Sequence, residues 1–248
     1  MRVCRYFLIP LLISSLVSLA FINLAVAQQK ATSVIVYNNI QDYQKATGKK
    51  IDKFNEAPML ADLVKQGKLP PVEQRLPQEP LVVAPLEEIG QYGGQVNLFT
   101  NSPNSLGEAD YFTGYEHILG IATDGSSVTP RIARAWKFTD GGKTLTIYLR
   151  KGMRWSDGAP FTADDILFWY EDIILNDELT PVKPVYWSPG GKLMKVEKVD
   201  DYTVRLSFAV PYPMAIYRFA HETGAIYRPK HFLKQFHPKY TPIDEINK

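Results

Sequence analysis

Between Ala133 and Ile173 the apolar positions change period, and the change predicts a compact α+β unit. Ala133 to Thr139 can extend, and Asp140-Gly141-Gly142 turns the chain. Thr144 to Leu149 alternates strictly, with Leu145, Ile147 and Leu149 on one face and Thr144, Thr146 and Tyr148 on the other. A period of two marks a half-buried strand. Asp-Gly between two such runs predicts a hairpin, because those residues tolerate the positive φ of a tight turn. A second turn is expected at Ser156-Asp157-Gly158. Beyond it Ile166, Trp169, Tyr170 and Ile173 recur at helical spacing. Thr162, with Asp165 three residues on, fits a capping box in which Asp replaces the usual Glu. The helix is therefore expected to lay its apolar stripe on the hairpin.

The same patterns organise the flanks. Asn39 with Asp42 predicts a short capped helix ending near Gly48. Pro58 predicts another, with Met59, Leu60, Leu63 and Val64 as its apolar face and Gly67 as its stop. Leu69 to Glu88 concentrates Pro70, Pro71, Pro77, Pro80 and Pro85 among charged residues, which favours an extended connector. Composition alone is equally compatible with a disordered linker. Gln95 to Phe99 reads as a short strand running into the polar turn Asn101-Ser102-Pro103-Asn104. Tyr111 to Ile121 reads as a helix burying Phe112, Tyr115, Ile118 and Leu119. Asn176 to Gly191 is irregular. A second hairpin is expected from Leu193 to Val199 and Tyr202 to Phe208, with Tyr202, Val204, Leu206 and Phe208 on one face. Pro211-Tyr212-Pro213 ends the sheet, and Met214 to Ala220 predicts a helix. No internal repeat is convincing.

Composition adds an address. Arg2 and Arg5 precede an apolar run from Phe7 to Leu24, and Ala25-Val26-Ala27 before Gln28 fits the small-x-small cleavage rule. An uncleaved anchor is the alternative; Pro10, Ser14, Ser15, Ser18 and Asn23 weaken it. The one cysteine, Cys4, precedes the run, so it is badly placed for lipid attachment, and cleavage would remove the only thiol. Hydrophobic residues make up 45% of the 248, enough for a sizeable core. Cleavage would also remove Arg2 and Arg5 from 28 basic residues, leaving as many as the 26 acidic ones. A neutral chain has no electrostatic footprint for nucleic acid.

Catalytic patterns fail on inspection. Gly142-Lys143-Thr144 echoes a phosphate loop, but the leading position is Lys137 and the turn joins strand to strand. No Ser sits in a G-x-S-x-G elbow, and His117, His221, His231 and His237 lack H-E-x-x-H spacing. His231 and His237, in a proline-flanked tail, read as a solvated surface. Asp164 and Asp165 are adjacent, so on a helix they point apart and serve as caps, not as an acid/base pair. The aromatics Tyr111, Phe112, Tyr115, Tyr186 and Trp187 are the better lead, because flat apolar surfaces suit a solute receptor. Ordinary packing is the competing explanation for each of them.

Leu149-Arg150-Lys151-Gly152, Trp155-Ser156-Asp157-Gly158 and Pro160-Phe161-Thr162-Ala163-Asp164-Asp165 together resemble the signature of the peptide/nickel family of extracellular solute-binding proteins (family 5). Ile132 to Trp136 and Val199 to Val204 resemble its flanking strands, so the resemblance covers roughly Gly93 to Pro229. It implies an incomplete periplasmic-binding-protein-like fold of type II (cluster C): a small β-hairpin/helix domain plus part of a first lobe. The expected organisation is a signal peptide (1–27), a helical extension (28–68), a Pro-rich linker (69–92), the solute-binding part (93–229) and a truncated tail (230–248). Family members are more than twice this length, which implies that the second lobe and its ligand contacts are missing.

The resemblance further implies a non-catalytic monomer without cofactor or metal, exported to the periplasm, that carries a peptide or oligosaccharide to the membrane-embedded permease subunits of an ABC importer. It places Asp110, Tyr111, Phe112, Tyr186 and Trp187 near ligand and leaves the WSDGAPFTADD run architectural. A secreted hydrolase and a non-transport interaction module are the rival expectations.

Overall fold

A computed structural model of the chain describes residues 34–95, 97, 116–221 and 226–246. The expected export leader lies outside them, as does most of the strand expected over Gln95 to Phe99. In chain order the N-terminal part holds β1 (Ile35–Tyr37), α1 (Ile40–Thr47), α2 (Pro58–Lys65), α3 (Val72–Arg75) and β2 (Val82–Ala84). Then come β3 (Leu119–Ile121), β4 (Val128–Pro130), β5 (Ala133–Thr139) and β6 (Thr144–Leu149). Helix α4 (Ala163–Phe168) runs into a π-helical turn at Trp169–Ile174, followed by β7 (Lys195–Asp200) and β8 (Thr203–Ser207). Short helices α5 (Ala215–Phe219), α6 (Lys230–Leu233) and α7 (Ile243–Ile246) close the sequence of elements.

The two expected hairpins form and join. β5-β6-β8-β7 is one antiparallel sheet, with Leu145 opposite Leu206 and Ile147 opposite Val204 across the β6–β8 seam. The alternation in β6 becomes burial: Leu145, Ile147 and Leu149 are buried and the intervening Thr144, Thr146 and Tyr148 only partly so. Asp140 takes φ +51° and Gly141 +58°, the left-handed backbone that the Asp-Gly pair was expected to supply. Thr139 pairs with Thr144 across that turn.

Helix α4 packs on this sheet, and its cap is the expected one. Thr162 Oγ1 accepts from Asp164 N at 3.3 Å, and Asp165 Oδ2 accepts from Thr162 N at 2.9 Å. Ile166, Trp169 and Tyr170 are buried against the sheet as expected, but Ile174 replaces Ile173 at the end of the stripe. The cause is the π turn: Leu175 N donates to Tyr170 O at 2.9 Å, five residues back. One extra residue per turn shifts the phase of every later side chain.

Four further expectations are corrected. Leu119 to Ile121 is not the end of a helix but a strand paired with β4; residues 111–115 of that expected helix lie outside the described residues. Ile118 and Leu119 are nonetheless buried, so the burial was read correctly and the element was not. In α2, Leu60 and Val64 are half-buried while Met59 and Leu63 stay exposed, so half of the apolar face is used. The Pro-rich segment is neither free nor wholly extended. It contains α3, and β2 pairs antiparallel with β1. It is also tied to the first hairpin: Gln78 N donates to Lys151 O at 3.0 Å, and the buried Arg150 guanidinium donates to Glu79 O at 2.7 Å and Asn38 O at 2.6 Å. The histidine correction concerns the tail. His237 is buried, with Nε2 3.0 Å from Asp172 O, whereas His231 is exposed as expected, its Nε2 2.6 Å from Asp157 Oδ2. The Asp172 carboxylate accepts from Lys239 Nζ and Tyr240 OH, which anchors this segment to the π turn.

Candidate functional site

Two regions could carry function: the irregular segment after the capped helix, and the signature run itself. The first begins where the π turn ends. Thr180 Oγ1 donates to Ile173 O, and Asn176 Oδ1 accepts from Glu178 N, so the loop is folded by its own polar side chains. It presents Leu179, Val182 and Val185 to solvent, the latter two 81% exposed. A 3-10 turn at Val185–Trp187 then splits two aromatic neighbours. Tyr186 is half-buried, with the Arg218 guanidinium 5.8 Å from its ring centroid. Trp187 is withdrawn into the core, 1% exposed, stacked on Phe219 at 4.8 Å and edge-on to Trp169 at 6.4 Å. Of the expected ligand contacts, then, Tyr186 is at the surface and Trp187 lies beneath it. Asp110, Tyr111 and Phe112 lie outside the described residues.

The signature run is a set of turns that hold other segments. Trp155 N donates to Ala159 O and Gly158 N to Trp155 O, closing the turn. Asp157 Oδ1 accepts from Ala159 N at 3.0 Å; this bond, and then the His231 ring, hold its carboxyl below the usual range. Burial pushes the Asp165 carboxyl up, against the backbone N–H donors of Thr162 and Lys230. Asp165 thus caps its own helix and docks the segment that returns at residues 226–231, where Arg228 N also donates to Asp165 O. Trp155, Phe161 and Tyr227 form an aromatic cluster over the same seam, with centroids 5.3 to 5.8 Å apart. Tyr170, its hydroxyl raised by burial, donates to Met194 O at 2.8 Å.

These groups make a scaffold. Both perturbed carboxylates just named are engaged by backbone N–H groups, Asp157 by His231 as well. Among the described residues no group of three or more His, Cys, Asp or Glu could hold a metal ion, and no helix is long and apolar enough to cross a membrane. Sequence reasoning missed Arg150, Asp172 and His231 as structural partners. Arg150 alone left a trace: a charge placed directly after the buried Leu149.

Residues 127–243 match the bacterial extracellular solute-binding proteins, family 5 Middle. Over this segment the chain is similar to family 5. Its sheet, capped helix and returning tail all fall within the matched residues. The solved oligopeptide-binding protein OppA is similar over 86% of this chain at 44% identity, with a TM-score of 0.78. The periplasmic binding protein MelB of Agrobacterium fabrum, solved with stachyose, is similar over 86% at 28% identity and a TM-score of 0.63. The periplasmic α-galactoside-binding protein of Rhizobium meliloti is 32% identical over 71% of the chain. The expected fold, part of a periplasmic binding protein, is that of both solved relatives. The chain spans 28% of the length of the Rhizobium protein and 33% of each solved chain.

Proposed function

We propose that this chain supplies one wall of a family 5 solute receptor that delivers a peptide, or another oligomeric solute, to the permease subunits of an ABC importer. The supporting observation is the likeness to the oligopeptide-binding protein, which extends over 86% of the chain. Tyr186 offers the wall an aromatic face beside an exposed apolar loop, and Trp187 supports it from below. Asp110, Tyr111 and Phe112 complete the proposed contact set. A cleft that closes on its ligand needs two walls, so this chain alone is expected to bind weakly.

An oligosaccharide is the second reading, favoured by the likeness to the α-galactoside-binding protein and to the stachyose complex. Both readings make the protein a non-catalytic monomer, exported past a leader ending near Ala27-Gln28, with no nucleic-acid partner. In this organisation residues 28–92 form the extension and strap, and residues 93–229 the solute-binding part with its tail behind. Thermal melting with a tripeptide library and with stachyose separates the readings, since a ligand that binds only the folded state raises the melting temperature. A rise with peptides alone supports the first reading and a rise with stachyose alone the second. No rise with either at tens of millimolar contradicts both.

A further inference from the structure

The strap does more than cover the hairpin: between the two lies a groove of about 320 Å³. Leu76, Pro77, Pro80 and Leu81 of the strap face Ile132 and Met153 across it. Its ionisable lining is four arginines, Arg75, Arg131, Arg150 and Arg154, against the single carboxylate of Glu116. The four are not equivalent. Arg75 is paired with Glu56, and its Nε donates to Pro70 O. Arg150 spends four of its five N–H groups on Arg131 O, Asn38 and Glu79 O, so it lends mainly positive charge. The Glu79 carboxylate offsets part of that charge and Arg134 adds to it.

Arg131 and Arg154 keep donors to offer. Arg154 commits Nη1 to Gly158 O, and among the described residues Arg131 has the Glu116 carboxylate at 3.8 Å, beyond hydrogen-bond length. Arg131 also has a built seat. A Cβ at Gly120 would lie 2.7 Å from Arg131 Nε and 3.1 Å from its Cγ, so glycine is what lets this side chain lie across β3.

We propose that this groove is a second binding site, separate from the Tyr186 wall, that takes a small organic anion: a carboxylate on an apolar body of several carbons. The prolines, Leu76, Leu81 and Met153 suit the apolar body, and a planar guanidinium fork suits a carboxylate. Burial of such a ligand against prolines already fixed by the strap costs little further ordering.

The test uses the whole chain with methyl-13C methionine and follows the Met153 methyl, assigned through Met153→Leu. Hexanoate is the probe, with 1-hexanol and inorganic phosphate as comparison arms. Expected is a saturable shift of the Met153 signal with hexanoate, absent with either comparison compound. The buried Met194 signal should stay in place as the reporter of an intact fold. Arg154→Gln, at an exposed side chain, and Arg131→Gln should each weaken the response about tenfold, the loss of one charge-assisted hydrogen bond. A silent Met153 overturns the proposal. So does an equal response to hexanol, which would mean an apolar patch only, or to phosphate, which would mean an adventitious inorganic anion only.

Discussion

Arg150 and Asn38 stand 112 positions apart and meet twice: Nη1 donates to the Asn38 carbonyl at 2.6 Å and Nη2 to its side-chain oxygen at 2.7 Å. Asn38 Nδ2 in turn donates to Arg134 O at 2.8 Å. This exchange fastens the N-terminal strap to the first hairpin, and burial correspondingly lowers the affinity of the guanidinium for its proton.

Arg150→Ala should therefore free the strap before it unfolds the sheet. A cost of about 2–4 kcal/mol is expected, since several carbonyl acceptors lose a charged donor. Arg150→Lys should recover only part of it, because a point charge cannot reach the separated acceptors of a planar fork. Hydrogen exchange checks this: amides of β1 and β2 should lose protection while those of β6 and β8 keep theirs. Equal loss in both would mean that the strap is no separate unit.

The capping box gives a smaller, local effect. Thr162→Ala should cost about 1 kcal/mol in denaturant unfolding. Asp165→Ala should cost more, because it also leaves Lys230 N without its acceptor and releases residues 226–231. In the neighbouring turn, Gly158 holds φ +89°, so Gly158→Ala should strain the backbone. Gly158→Ala should lower the melting temperature without altering solute affinity. Lost affinity at an unchanged melting temperature would make the signature run part of the binding surface instead.

The sheet seam sets the global stability. Leu206 is fully buried opposite Leu145 and Val196, so Leu206→Ala should cost about 2–5 kcal/mol. Equilibrium unfolding in urea measures it. A cost below about 1 kcal/mol, typical of a surface change, would contradict the packing of the two hairpins on one core.

Acid stability should carry the mark of Asp157. Its folded pKa is depressed, by Ala159 N–H first and His231 second, so its contribution is complete above the unfolded value, near 3.8, and is lost as pH falls through the folded value. Asp157→Asn should melt below the parent protein above that pH, and the two curves should converge below it. A gap that widens toward acid would reverse the sign and contradict the assignment.

How much of this was legible depended on whether the determinant was local. Alternation in Thr144 to Leu149 with an Asp-Gly turn, and Thr162 three residues before Asp165, are written within a few positions, and both elements form as expected. The π turn at Trp169 to Ile174 leaves no local sign, because inserting one residue keeps the apolar composition and changes only the phase. β3 was hidden by its shortness: Leu119-Gly120-Ile121 carries no alternation of its own and needs β4 beyond the turn. The strap was least legible, since what Arg150 and Lys151 engage in it is largely backbone, which every residue has. His237 was hidden for a similar reason, its partner being the carbonyl of Asp172. Of the proposed contacts, the sequence put Tyr186 and Trp187 forward alike, with ordinary packing as the alternative for each; that Trp187 lies in the core is set by Phe219 and Trp169.

The loop carrying Tyr186 is proposed to be a solute-facing wall without catalytic function. Amide chemical-shift mapping of the chain with a tripeptide library, and separately with stachyose, tests it most directly. Predicted are weak, about millimolar shifts at residues 176–191 with one of the two solutes. They should disappear in Tyr186→Ala, and the solute should remain chemically unchanged. Shifts elsewhere with that loop silent, or cleavage of the solute by the pure protein, would contradict the account.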